Sequence, residues 1–257
     1  VTFIVDILIA LRFFSRLPVP ETARERALGA TGFAQAAQLV PVAGVVIGLA
    51  PALLLFVATT LGLSALVGAL LAIAALILVT GALHEDALAD CADGFGGGRS
   101  RDRKLEIMRD SRIGAYGACA IMLSLSLRAA ALASIADRSA SLAALSVIAA
   151  AALSRTASLM PLVLLPPART DGLGAAAQPP PGAVAIAAAL AMAIAGALLA
   201  ASAGPVRIVA AVALAPLAGL GVCAFARRQI GGQTGDVAGA AQQLAEVAVY
   251  LALAAAP

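Results

Sequence analysis

This chain of 257 residues has no tryptophan, two tyrosines, one histidine and three cysteines, and only 12% of it is charged. Each shortage closes off a class of protein. An ordinary soluble domain carries about 25% charged residues. A chain that is 62% hydrophobic, with a mean hydropathy of +1.01, has too little polar surface to live in water. One histidine and three scattered cysteines, Cys91, Cys119 and Cys223, supply neither a disulfide framework nor zinc-ligand spacing, so the cysteines read as small apolar fillers. The net charge of +3 points to membrane orientation rather than to a nucleic-acid partner. The opening VTFIVDILIALRFF lacks a basic leader region and carries Asp6 inside its apolar run, so an interfacial or short buried helix is expected there, not a cleavable signal.

What the chain does have is long apolar runs. Stretches of about 20 such residues are long enough to cross a bilayer as helices. They fall near Gln38 to Thr60, Gly62 to Leu83, Ala115 to Ala136, Ala140 to Leu165, Ala183 to Ala203 and Ile208 to Ala226, with a shorter candidate at Leu244 to Ala256. The expected fold is an all-α polytopic membrane bundle of six or seven transmembrane helices, forming one integral membrane domain over residues 1–257. Glycines and prolines within the runs (Pro41, Gly44, Gly48, Pro51, Pro161, Pro216, Gly219, Gly221) suit closely packed membrane helices.

The cations fall on one side of this pattern. Arg12, Arg16, Arg24 and Arg26 precede the first span; Arg99, Arg101, Arg103, Lys104, Arg109 and Arg112 lie between the second and third; Arg169, Arg227 and Arg228 flank later ones on the same side. Only Arg138 and Arg207 fall opposite. Thirteen against two predicts by the positive-inside rule that the larger set faces the cytoplasm.

Half of the acids are concentrated in one island, residues 81–114, which holds Glu85, Asp86, Asp90, Asp93, Asp102, Glu106 and Asp110. If the second span's helix runs on into it, Asp86, Asp90 and Asp93 share one face at i, i+4 and i+7. Crowded carboxylates repel unless a cation sits among them. An oxygen-only ligand set favours Mg²⁺, or Mn²⁺, held together with substrate phosphates. The following run, with Gly96, Gly97 and Gly98, would let backbone N–H groups approach a phosphate. Ser100 or Asp102 is placed to cap a further helix carrying Asp102, Glu106 and Asp110 at four-residue steps. Arg155, in the middle of a span, must pair or line a cavity and is a phosphate-binding candidate. Thr234 and Asp236 in GGQTGD, within a second cytoplasmic polar loop expected over residues 227–243, would complete the site.

The island resembles the signature region of the cobalamin synthase family, the adenosylcobinamide-GDP ribazoletransferases. The similarity lies in HEDALADCADGFGGG, the following RKLEIMRDSRIGAYG, FFSRLPVP at 13–20 and GGQTGD; Ala87 departs from it, standing where a glycine is expected. The resemblance implies a transferase that acts on adenosylcobinamide-GDP and α-ribazole, or its 5′-phosphate, and releases GMP. It implies Mg²⁺ on Asp86, Asp90 and Asp93, with Asp110 as fourth ligand or general base and Asp86 next in line as base. Arg112 or Arg155 would clamp phosphate. A membrane prenyltransferase, also Mg²⁺-diphosphate dependent, is the alternative, but it calls for a second aspartate-rich motif where this chain has only Asp236. A transporter is a weaker one, since its ionisable groups belong near the bilayer midplane. A homo-oligomer is compatible with the sequence.

Overall fold

A computed structural model describes residues 2–28, 30–170 and 172–255. Its helices are α1 (Thr2–Phe14), α2 (Ala23–Leu28), α3 (Ala30–Ala36), α4 (Val40–Thr60), α5 (Ala65–Thr80), α6 (Leu83–Gly97), α7 (Arg101–Ile107), α8 (Ala115–Arg138), α9 (Ala140–Ala157), α10 (Leu159–Leu164), α11 (Leu173–Ala176), α12 (Pro181–Leu199), α13 (Pro205–Ile230) and α14 (Gly235–Ala254). Side-chain oxygens set several starts: Ser64, Ser100, Ser139 and Thr234 accept from the backbone N–H three residues on, satisfying donors that a helix start leaves open. Among the described residues the only β feature is a bridge between Pro167 and Gln233.

Six helical segments are long and apolar enough to cross a membrane, and α5 with α6 would make a seventh if counted as one span. The chain is an all-α polytopic membrane bundle. Leu53, Leu78, Leu123 and Val209 face outward and exposed, as a lipid-covered surface allows and a wetted one does not. The innermost helices are α9 and α14, which cross with 78% of their apolar windows enclosed, against 22% for α12. Small residues permit this packing. A Cβ at Gly44 would fall 2.5 Å from the Ala151 carbonyl, and one at Gly48 would fall 3.0 Å from the Ile148 Cα. This pairing of two glycines four apart against α9 is the small-residue contact expected of membrane helices, and it fixes α4 and α9 as antiparallel.

Three expectations need correction. The second span does not continue into the island: the chain turns through 88° between α5 and α6. Consecutive residues Gly81 (φ 66°) and Ala82 (φ 57°) are left-handed there, and the Arg16 side chain packs where a Cβ of residue 81 would stand. The last span, expected from Leu244, begins at Gly235; it is one full helix, and residue 256 of the expected range lies outside the described residues, as does Val1. The polar loop expected over 227–243 shrinks to the few residues between α13 and α14.

Arg138 and Arg207 both donate to the Ala255 carbonyl, so the two cations assigned opposite to the rest share one end of the bundle. At the other, cation-rich end, Arg101 joins α7 to the carbonyls of Ile230 and Ala168. The charged helix α6 is not among the six crossing segments, and it packs against α8 and α14.

Candidate active site

Helix α6 carries the island's acids, and its neighbours divide them. Asp93 is buried, and its carboxylate accepts from the N–H groups of Gly114 at 2.7 Å and Gly117 at 2.8 Å. It therefore caps α8. A Cβ at either glycine would run into that carboxylate, which accounts for glycine at both positions. Asp86 and Asp90, one turn apart, face the start of α14. There Asp236 accepts from Arg169 at 2.6 Å and from the Thr234 hydroxyl at 3.0 Å. Arg169 arrives on the segment after α10, which is tied down by Ala168 N–H to the Gln233 carbonyl and Gln233 N–H to the Pro166 carbonyl, both 2.8 Å.

Burial pushes Asp90 up to about 7, reinforced by the negative charges of Asp86, Asp236 and Asp93 and opposed by Arg169. A half-buried carboxylate facing three others is short of positive charge. Among the described residues no three acid, His or Cys side chains are already gathered around one point. Mg²⁺ does not require that: it keeps several waters and takes one or two protein carboxylates with substrate phosphates. Asp90, Asp86 and Asp236 fit that donor chemistry.

Beside Asp86 and Asp236 lies a cavity of about 290 Å³. Its lining includes those two acids, Thr234 and Arg169, together with the apolar side chains of Phe14 and Leu162. His84 also lines it, parallel to the Phe14 ring at 5.9 Å between centroids.

Other expected site residues fall elsewhere. Gly96 and Gly97 are not in a loop; they form the last turn of α6, and Gly98 ends it by donating to the Gly94 carbonyl. A helix C-terminus presents carbonyls and negative partial charge, the wrong end for a phosphate. These glycines serve packing: a Cβ at Gly96 would meet the Tyr116 ring at 2.8 Å and one at Gly98 would meet Lys104 at 2.5 Å. Helix α7 stops at Ile107, so Asp110 lies beyond it. Asp110 pairs with Arg112 at 2.6 Å, and this hydrogen-bonded guanidinium holds its carboxyl down at about 2. The structure does not bring Asp110 and Arg112 to Asp90.

Arg155 is also elsewhere, enclosed in the bundle. It donates to the Ala151 carbonyl at 3.2 Å and lies 3.8 Å from Glu246. It belongs to an interior network in which Arg128 reaches Glu85 at 2.9 Å and Glu246 at 3.1 Å, while Gln242 and Gln243 bond the same two acids. Of this set sequence reasoning singled out Arg155 as a mid-span charge but not the partners that meet it, and it missed Arg169 as a site residue. Two glutamines and a glutamate inside an apolar run were the available signal.

The model of the cobalamin-5-phosphate synthase family matches residues 6–254. The chain belongs to that family. A relative named adenosylcobinamide-GDP ribazoletransferase from Azorhizobium caulinodans is 51% identical over 96% of this chain and 94% of its own. Relatives of the same name from Bradyrhizobium diazoefficiens and Rhizobium meliloti are 48% and 43% identical, over 98% and 97% of this chain and 94% and 95% of theirs. No solved structure matches. For this member of the cobalamin-5-phosphate synthase family, the names support the transferase reading and neither alternative.

Proposed function

We propose that the chain transfers the phosphocobinamide group of adenosylcobinamide-GDP to the 5′-hydroxyl of α-ribazole or α-ribazole 5′-phosphate. The observation that carries this reading, beyond the relatives' names, is the convergence of Asp86 and Asp90 from α6 on Asp236 from α14 beside a partly open cavity. The hydroxyl oxygen attacks the phosphorus next to cobinamide. A P–O bond forms, the anhydride bond breaks, and GMP leaves with the bridging oxygen. Asp86, exposed at the cavity, takes the proton of the attacking hydroxyl. Asp90 and Asp236 would hold Mg²⁺, whose chemistry when bound is to neutralise charge on the diphosphate. Arg169 is close enough to this pair to steady a phosphate oxygen. The cation asymmetry supports a site facing the cytoplasm from the bacterial inner membrane.

Purified protein incubated with adenosylcobinamide-GDP, α-ribazole and Mg²⁺ should form adenosylcobalamin and GMP, and chelator should abolish both. Absence of product overturns the activity; turnover indifferent to chelator overturns the metal.

A further inference from the structure

The cavity beside Asp86 raises a question of fit: which of two very unequal substrates does it admit? Pockets for drug-sized ligands run about 300–1,000 Å³, and this one, at about 290 Å³, lies at the bottom of that range. A corrin ring with its side chains and a guanosine diphosphate far exceeds it. A nucleoside does not. The walls also combine apolar surface, from the Phe14 ring and Leu162, with polar groups from Asp86, Asp236 and Thr234. A nucleoside with an apolar aromatic base has the same mixed character, hydrocarbon-like at the base and hydroxylated at the sugar.

His84 supplies an independent sign. It is 2% exposed, lines the cavity, and its Nε2 has no hydrogen-bond partner. Buried polar atoms are nearly always paired in finished protein interiors, so an unpaired imidazole nitrogen in a cavity wall marks a place where a ligand or water completes the structure. Its ring, 15° from parallel with that of Phe14, extends the aromatic surface onto which a flat base can stack.

We propose that this cavity seats the acceptor nucleoside, its benzimidazole base against Phe14 and His84 and its 5′-hydroxyl toward Asp86, while the corrinoid donor stays outside. The proposal rests on the transferase reading above and assigns each substrate its place within it. A base held against Phe14 and His84 leaves the sugar's 5′ side to meet the carboxylates. Selection among nucleosides then resides in the walls around the base and not in the phosphate-handling residues.

Ala175, half-buried in the cavity wall on α11, gives a test that fills the space from its rim. The chain has no tryptophan and only two tyrosines, so benzimidazole fluorescence can be followed over a low protein background, without Mg²⁺ or the donor. Wild type should bind α-ribazole, and guanosine should not displace it. Ala175→Phe should weaken α-ribazole binding at least about tenfold while leaving the KM for adenosylcobinamide-GDP within twofold. Phe14→Leu, which keeps an apolar wall but removes the aromatic face, should weaken it by about tenfold. Both variants are first checked for a monodisperse peak in detergent, and if Ala175→Phe fails that check Ala238→Leu, at another point of the wall, replaces it. Unchanged α-ribazole binding in folded variants overturns the assignment, and so does a rise in the donor's KM alone. If wild type makes no product from both substrates, the transferase reading fails instead, and the binding measurement reports that separately.

Discussion

Arg128 on α8 donates to Glu85 on α6 at 2.9 Å, with both side chains almost wholly enclosed. Glu85 adjoins Asp86 in sequence, so this pair sets the rotation of α6 and with it the direction in which Asp86 and Asp90 face. Arg128→Met should leave Glu85 a buried charge without its ion-pair partner, and Glu246 with Arg155 alone at 3.8 Å. A loss of about 3–5 kcal/mol is expected, read as a large drop in thermal midpoint in detergent. A variant as stable as wild type would show that the charges are neutralised some other way.

Asp90 and Asp110 should separate cleanly. Asp90→Asn is expected to lower turnover at least ~100-fold, equivalent to about 2.7 kcal/mol of barrier, in a folded protein. Asp110 sits at the surface with Arg112, and Asp110→Asn should stay within about threefold of wild type. Equal losses at the two positions would return Asp110 to the site.

The pH dependence follows from the same contrast. Arg112 hydrogen bonds hold Asp110 at about 2, below the ordinary value of about 3.9. Its folded-state pKa is depressed, so the contribution of the pair is complete above the ordinary value and is lost only as pH falls through about 2. Asp110 therefore stays ionised across any working range. The pH–rate profiles of wild type and Asp110→Asn should superimpose between about pH 5 and 9; a limb that disappears in the variant would falsify this.

Gly117→Ala places a methyl group against the Asp93 carboxylate. The expected cost is about 1–3 kcal/mol, seen in thermal unfolding. In an Asp93→Ala background the same substitution should cost less, because the carboxylate is gone and only the Ala89 Cβ at 3.1 Å is left to crowd it. Additive losses in the two backgrounds would mean that the glycine is needed for another reason.

Much of this architecture was legible in the residues. Runs of about 20 apolar side chains have few solutions in a membrane, so α4, α8, α9 with α10, α12 and α13 were all expected within a few residues of where they lie. The pairing of Asp86 with Asp90 followed from one helical turn, and Asp236 from its place in GGQTGD. The bend at Gly81 and Ala82 was not readable, because an alanine carries no mark of a left-handed backbone. The start of α14 was obscured by the same Gln242, Gln243 and Glu246 that anchor the interior network, since their polarity lowers the hydropathy of a helix that buries them. The glycines after Asp93 signalled close approach correctly, but the partner is Tyr116 and Lys104 rather than phosphate. Spacing gives a face, and only the tertiary neighbours say what meets it.

The interior network joins two guanidiniums, Arg128 and Arg155, to two carboxylates, Glu85 and Glu246. A single charge carried across a membrane potential exchanges about 2.3 kcal/mol per 100 mV, and in a tightly linked set of equal and opposite charges those terms cancel. The bundle thus holds four formal charges in its interior without becoming a voltage sensor. Turnover in sealed vesicles should be the same whether or not a potential is imposed across them.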